Sequence, residues 1–406
     1  MKILLSVCGS ISAYKSLDLA RGLINKGHQL KIILTSGALK FVVPEVFSYL
    51  GALDVYLDND DFKHKNVLHV ELARWCDTLV IAPLSANTLS RLSRGEASDL
   101  LTSVFLALEP AKTISIFPAM NTQMLNHPFT QENLKELKKL KTLHNVFISK
   151  TNSGVLACND TGEGKLASVD EIIELIPTLK APFEMNHRKK IVISTGATIA
   201  PLDPVRYLTN SSSGITGFYL AMAALKEGHE IVVVAGLNAT SKLNLLIKHP
   251  NYKLIKVATV NEMYDYGQEE IKNANAYFSA AAISDIEFNV ADEKIKKEKI
   301  ENSLEVHKAK DILKSIIEMK KADFKIVGFA AETNLSDAIL TRKFDSKPVD
   351  LLVGTKVNNG LASDKEVQGF NLDSARYRFM EKEMISAERT LTKSELAEII
   401  LQKINL

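Results

Sequence analysis

The sequence predicts an α/β protein built from two Rossmann-like domains, on three observations. Residues 2–7 (KILLSV) form a short apolar strand, residues 11–27 (ISAYKSLDLARGLINKG) carry helical spacing, and HQLKIILT is a second strand. The same order returns at 191–234, and both helices run into a Lys-Gly-His or Glu-Gly-His tripeptide. Between the copies, residues 182–190 (PFEMNHRKK) are polar and contain proline, as a domain junction does; domains of 1–186 and 187–406 are expected.

The second copy differs in one respect. Ile3 to Gly27 is 24 positions and Ile191 to Gly228 is 37, so the second βα connection holds about 13 extra residues. Pro201 and Pro204 stiffen its first half, and Asn210, Ser211, Ser212, Ser213 and Gly214 fill the second with small residues. The following helix is expected to begin near Gly217. A strand, a small-residue loop and a helix N-terminus make an anion site, because free N–H groups and the helix dipole point to one place. The spacing is neither a P-loop nor GxGxxG. The competing explanation is a surface loop with a Ser cap.

Composition sets limits. Fifty Lys and Arg against 48 Asp and Glu give a net charge of +2, which excludes nucleic-acid binding driven by bulk charge. Cys8, Cys76 and Cys158 are too few and too scattered for a disulfide framework or a Cys-x-x-Cys metal site, which fits a reducing cytoplasm. No apolar run approaches the ~20 residues of a membrane span. The start MKILLSVCGS has too short an apolar core for a lipoprotein signal and is better explained as a strand.

In the first half, the turn SVCGSISAYK places Gly9, Ser10 and Ser12 at a helix start. The second strand ends at Thr35, Ser36 and Gly37. His69 precedes a helix-like ELARW; it is a candidate catalytic group or an ordinary satisfied surface or core residue. DTLVIAP is a buried strand, followed by Ser85, Asn87 and Thr88 at the carboxyl end of the sheet, where ligands sit. TISIFP is another strand, running into Met120, a core filler, and Asn121, suited to a carboxylate or a ring edge. The Gly-rich loop 153–168 (SGVLACNDTGEGKLAS) presents Cys158 either as a reactive thiol or as a half-buried one.

In the second half, NANAYFSAAAISDIEF holds a buried strand ending in small residues and Asp285, a ligand group or a helix cap. Lys294, Lys296, Lys297 and Lys299 form a lysine run; such runs are ordinarily solvated, but one lysine beside a triphosphate neutralises developing charge. FKIVGFAAET is a strand carrying Phe329, placed to stack on a base. Lys343 and Lys347 precede the last buried strand, VDLLVGTKV. The tail is an amphipathic helix with Thr392 as N-cap and Glu395 three residues on.

These motifs together resemble the bacterial bifunctional phosphopantothenoylcysteine decarboxylase / phosphopantothenate–cysteine ligase family of coenzyme A biosynthesis. The resemblance runs through SISAYK, HVELARW, APLSAN, PAMN, ACNDTGEGKL, PLDPVRYLTNSSSG, AAISD, KIKK, GFAAET and KFDSKPVDLL, in order along the chain. For the first half it implies a flavodoxin-like FMN domain, with Gly9, Ser10, Ser36, Ser85 and Asn87 toward FMN. His69 is then the active-site histidine, Asn121 the carboxylate binder and Cys158 the proton donor. The implied chemistry is flavin-assisted oxidation of the cysteine moiety, loss of CO₂, and return of a hydride and a proton.

For the second half it implies a ligase that activates 4'-phosphopantothenate with CTP as an acyl-cytidylate and then accepts the cysteine amine. Asn210 would hold the acyl-cytidylate, and Lys294 would serve the second half-reaction. Ser279, Ala280, Ala281, Asp285, Lys294, Lys308, Ala309, Lys310, Asp311, Phe329, Lys343 and Lys347 would form the CTP site, with Mg2+ on the triphosphate. It further implies a homo-oligomer, a dodecamer of trimers and dimers, with no nucleic-acid or membrane partner. The chain departs from the family pattern at Cys8, Ser10, Lys165, Leu166, Ala197, Ile199, Ala200 and Ile215, none of them assigned to chemistry apart from Ser10.

Three other functions compete. A nicotinamide dehydrogenase lacks its GxGxxG here. A non-catalytic flavoprotein subunit does not explain Asn210, Asp285 and Lys294. A flavin prenyltransferase needs neither Cys158 nor a second domain.

Overall fold

The computed structural model describes residues 1–60, 67–142, 144–155, 160–179, 188–296, 304–357, 373–382 and 384–406. The chain divides into two compact units, Met1–Met185 and Asn186–Leu406.

The first unit is a parallel sheet of β1 (Lys2–Val7), β2 (Gln29–Leu34), β3 (Asp54–Leu57), β4 (Thr78–Leu84), β5 (Thr113–Pro118) and β6 (Asn145–Ile148), in the order β3-β2-β1-β4-β5-β6. Without the short edge strand β3 the order is the flavodoxin-like one; with it, the order is that of dinucleotide-binding sheets. Both faces are covered, so the strands read as apolar runs rather than alternating ones. Ile3, Leu5 and Val7 enter the core on one face, while Leu4 and Cys8 enter the core on the other. The helices are α1 (Lys15–Asn25), α2 (Pro44–Tyr49), α3 (Leu68–Trp75), α4 (Ala86–Ser93), α5 (Leu100–Ala107), α6 (Thr122–Asn126), α7 (Pro128–Lys139) and α8 (Val169–Leu175). The expected first helix starts instead as a 3-10 turn, Ile11–Tyr14. Asp99 with Thr102 and Ser168 with Glu171 close capping boxes that start α5 and α8.

The Gly-rich stretch around 153–168 is not an irregular loop where it is described. β7 (Asn152–Val155) and β8 (Thr161–Lys165) pair as an antiparallel hairpin. Gly154 and Gly164 take the positive φ values that the hairpin's bulged path needs, so glycine content misled the sequence argument. Cys158 lies outside the described residues.

The second unit begins with β9 (Lys190–Thr195). The insert after it is a small antiparallel hairpin, β10 (Ile199–Pro201) and β11 (Tyr207–Thr209), where the sequence argument expected only loop. Helix α9 (Ile215–Lys226) starts two residues before the expected Gly217, because Gly214 at φ +72° turns the chain into it. Its apolar residues run all round, from Phe218 to Leu225, because it is buried in the core between the sheet and the last helix.

Then follow β12 (Glu230–Gly236), β13 (Tyr252–Val257), α10 (Val260–Ile271), β14 (Ala276–Ser279), β15 (Ile286–Phe288), β16 (Val306–Lys308), α11 (Ile312–Glu318), β17 (Lys325–Glu332), α12 (Asp337–Ser346), β18 (Leu351–Lys356), β19 (Ser374–Glu381), β20 (Met384–Ile385), β21 (Arg389–Thr392) and α13 (Lys393–Ile404). The main sheet runs β13-β12-β9-β14-β17-β18-β19-β20, parallel as far as β18, with β21 also on β19. Thr392 and Glu395 cap α13 reciprocally, as expected. No helix among the described residues is long and apolar enough to cross a membrane.

Candidate active sites in the two units

In each sheet the chain reverses its direction of winding beside the first strand, between β1 and β4 and between β9 and β14. Loops leaving those strands diverge there and open a crevice at their carboxyl ends. Each unit has a cavity at this place.

The first unit's cavity is about 630 Å³, within the range of small-molecule sites. Gly9, Ser10, Ser12 and Lys15 line it from the turn after β1, Ser85 and Ala86 from the start of α4, and Met120 and Asn121 from the end of β5. Ser10 donates its hydroxyl to the Ala119 carbonyl at 3.2 Å, and Ser85 caps α4 by accepting from the Thr88 N–H at 3.3 Å. Asn121 accepts from the Gln123 N–H at 2.8 Å and so starts α6. The β7–β8 hairpin closes one side. Met120 N–H donates to the Gly164 carbonyl at 3.0 Å, and a Cβ on Gly164 would lie 2.1 Å from the Met120 carbonyl oxygen, so only glycine permits the approach.

Of the residues expected here, Gly9, Ser10, Ser85 and Asn121 line the cavity. Ser36, Asn87 and His69 do not, among the described residues. Ser36 is exposed after β2 and donates its N–H to Asp58 at 2.5 Å, and Asn87 is exposed on α4. His69 is half-buried within the first turn of α3, a helix that begins one residue before it rather than after it. Met120, read as core filler, is indeed buried but also forms cavity wall. Cys8 and Cys76 are free and buried, and burial pushes both thiols up to about 11.

The second unit's cavity is about 650 Å³. Asn210 and the serines before α9 form one wall, Ser279, Ala280, Ala281 and Asp285 another, Lys308, Ala309, Lys310 and Asp311 a third; Phe329, Lys343 and Lys347 complete it. Thus every residue expected at the nucleotide site except Lys294 lies on one cavity. Gly214 offers no side chain to cap α9, so the N–H groups of its first turn remain for an anion.

The lysines are arranged by acidic and aromatic neighbours. Lys347 donates to Asp311 at 2.8 and 3.0 Å, Lys343 pairs with Glu332 at 2.6 Å, and Lys310 sits 3.8 Å above the Tyr264 ring. Burial pushes the Asp311 carboxyl up, but Lys347 and the Lys314 N–H outweigh it and hold it below its ordinary value. Asn210 reaches across the cavity mouth to the carbonyls of Ala282 and Ile283 at 3.2 and 3.4 Å.

Lys294 is exposed and is not cavity wall; it lies on the excursion between β15 and β16. Lys297 and Lys299 lie outside the described residues. Sequence reasoning missed Thr355, Tyr377 and Lys393, which also line this cavity. Thr355 carries a signal, its place near the end of a buried strand. Tyr377 carries none, since its antiparallel strand reaches the site only through tertiary pairing with β18. Among the described residues no group of three or more His, Cys, Asp or Glu side chains could hold a metal ion.

Residues 1–180 match the Flavoprotein family, and residues 186–406 match the family described as the DNA/pantothenate metabolism flavoprotein C-terminal domain. The chain is 33% identical to a coenzyme A biosynthesis bifunctional protein CoaBC of Vibrio vulnificus, over 91% of this chain and 88% of that one. The corresponding proteins of Haemophilus influenzae and Escherichia coli are 31% and 32% identical, over 99% and 92% of this chain and 96% and 89% of theirs. With both units matched in order and nearly the whole length aligned, the chain belongs to the bifunctional coenzyme A biosynthesis family, a flavoprotein decarboxylase unit followed by a ligase unit.

Proposed function

We propose that the second unit joins cysteine to 4'-phosphopantothenate at the expense of CTP, and that the first unit decarboxylates the resulting phosphopantothenoylcysteine to 4'-phosphopantetheine. The observation that carries this reading is the convergence of Asn210, Asp285, Lys308, Lys310, Asp311, Phe329, Lys343 and Lys347 on one cavity.

In the ligase unit, the phosphopantothenate carboxylate attacks the α-phosphorus of CTP. Pyrophosphate leaves and an acyl-cytidylate remains. The cysteine amine then attacks the acyl carbon, an amide forms, and CMP leaves. The first turn of α9 and the cavity lysines supply positive charge where these oxygens gain negative charge. Phe329 offers a face to the cytosine, and the Asn210 amide orients the acyl-cytidylate. Lys294 serves the second step. Mg2+, when bound with the nucleotide, would neutralise negative charge on its phosphates.

In the decarboxylase unit, the donor set fits a flavin mononucleotide. The Ser10, Ser12 and Ser85 hydroxyls and the start of α4 suit a phosphate and a polar ring edge, and a Cβ on Gly9 would come within 2.8 Å of Gly37, so the turn stays narrow. FMN, when bound, supplies the electron sink that simple loss of CO₂ lacks. Asn121 holds the substrate carboxylate and Cys158 delivers the proton.

The assembly is proposed as trimers through the first unit and dimers through the second, forming a dodecamer in the cytoplasm. Ile11, Tyr14, Met124 and Val155 form an exposed apolar rim on the first cavity, which supports a covering copy. The β10–β11 hairpin exposes Val205, Tyr207 and Leu208, which supports the dimer.

The test is a product assay of the full chain with phosphopantothenate, cysteine, CTP and magnesium. Wild type yields phosphopantetheine, and Cys158→Ser stops at phosphopantothenoylcysteine. A colourless protein that releases no pyrophosphate would overturn the proposal.

A further inference from the structure

The chain leaves the ligase cavity at Asp285, forms β15, and returns through β16 to Lys308, which is cavity wall again. The excursion between carries Lys294. Its outward limb is held at two points on the turn of the β10–β11 hairpin. Ala291 N–H donates to the Leu202 carbonyl at 3.0 Å. Four residues on, both backbone groups of Ile295 are engaged: its N–H donates to Asp203 at 3.2 Å, and its carbonyl accepts from Arg206 at 2.7 Å.

Asp203 is the hub of this arrangement. Its residue exposure is 4%. It accepts from the Val205 and Arg206 N–H groups at 2.8 and 2.9 Å and from two Arg206 guanidinium nitrogens at 2.9 and 2.5 Å. The two backbone donors alone would make the turn. The Arg206 fork and the bonds to Ile295 add a tie between segments about 90 positions apart. Charge-assisted bonds to a buried carboxylate are among the stronger ones available to a protein.

We propose that Asp203, through Arg206 and Ile295, is a positioning residue that sets Lys294 for the amine-attack step. The proposal rests on the reading of Lys294 given above. Asp203 touches no reacting atom; it fixes the backbone next to the residue that does. The turn of one hairpin thereby controls the second half-reaction and leaves nucleotide activation to the cavity.

The experiment uses the full chain and three variants. Asp203→Asn removes the charge, Ile295→Pro removes the N–H that reaches Asp203 while sparing the hairpin, and Lys294→Met removes the ammonium. Two steps are followed separately: the pyrophosphate burst from CTP and phosphopantothenate without cysteine, and amide formation when cysteine is added. Trypsin nicking after Lys296, a site that all three variants keep, reports the segment independently of activity. Asp203→Asn and Ile295→Pro are expected to keep the burst, which also certifies folding, to form amide roughly 100-fold more slowly, and to be nicked roughly tenfold faster. If Lys294→Met blocks amide formation while both other variants form amide normally, the positioning role is wrong. Loss of the burst together with the amide in both would equally overturn it, since the effect would then be on the whole cavity. If Lys294→Met forms amide normally, the assignment of Lys294 fails instead.

Discussion

The Asn210 side-chain amide lies 3.2 Å from the Ala282 carbonyl oxygen, and it donates there across the mouth of the ligase cavity. This contact joins the loop before α9 to the loop after β14, the two segments that diverge at the point where the sheet changes its winding direction. Asn210→Asp puts a negative charge against two carbonyl oxygens and against any bound phosphate. Ligation is expected to fall roughly 100-fold or more. Decarboxylation of supplied phosphopantothenoylcysteine, carried by the other unit, is expected to stay at the wild-type rate. The two assays run side by side on one preparation check this.

Lys347 and Asp311 form the best-defined ion pair on the same cavity, with contacts of 2.8 and 3.0 Å. Lys347→Met removes a cation from the wall and leaves the carboxylate facing the nucleotide. CTP binding measured by calorimetry is expected to weaken about tenfold. Its dependence on salt should flatten as well, because one fewer charge is available for screening.

Gly164 tests the first cavity. A methyl group there would meet the Met120 carbonyl at 2.1 Å with φ at +125°. Gly164→Ala is expected to cost about 1–3 kcal/mol of local stability and to displace the hairpin from Met120 and Asn121. The visible flavin spectrum should be reduced or lost. CTP-dependent pyrophosphate release should survive.

Thiol labelling separates the cysteines. Burial holds Cys8 and Cys76 with pKa values of about 11, so neither presents a thiolate near neutrality. Iodoacetamide at pH 8 is expected to modify neither in the native protein and both after denaturation, as read by peptide mass spectrometry. Modification of Cys158 alone under native conditions would agree with its proposed reactivity. Rapid native labelling of Cys8 would contradict its placement in the core.

Asp203 makes an acid-stability prediction. The Arg206 guanidinium, with three backbone N–H groups, holds its carboxyl far below the ordinary carboxylate range. A group with a depressed folded pKa stabilises the fold above its unfolded pKa, about 3.9, and loses that contribution as pH falls toward the folded value. The stability gap between wild type and Asp203→Asn should therefore be constant from neutrality to about pH 5 and close below about pH 4. Urea midpoints across that range measure it. A gap that closed near neutrality would point to a histidine instead.

Much of this protein was legible in the sequence. The largely apolar runs read at 2–7, 77–83 and 191–193 fall on central strands of the two sheets. Thr392 sits where a side-chain oxygen must satisfy helix N–H groups, and it does so. The unusual length of the connection after β9 was visible too, although a paired hairpin was not.

What only the tertiary structure decided is which distant residues meet. Local periodicity records whether a residue faces a core, but not which strand lies beside it. The winding order of the sheet brings Asn210 to Ala282 and sets Tyr377 and Lys393 on the same cavity as Lys308. It also leaves Ser36, Asn87 and His69 off the cavity of their own unit among the described residues, and ties Asp203 to Ile295 across a gap no motif spans. Those pairings arise because long-range strand order and buried charge satisfaction are properties of the packed chain. The sequence by itself determined the central strands, the Thr392 cap and the chemistry on offer; the packing chose the partners.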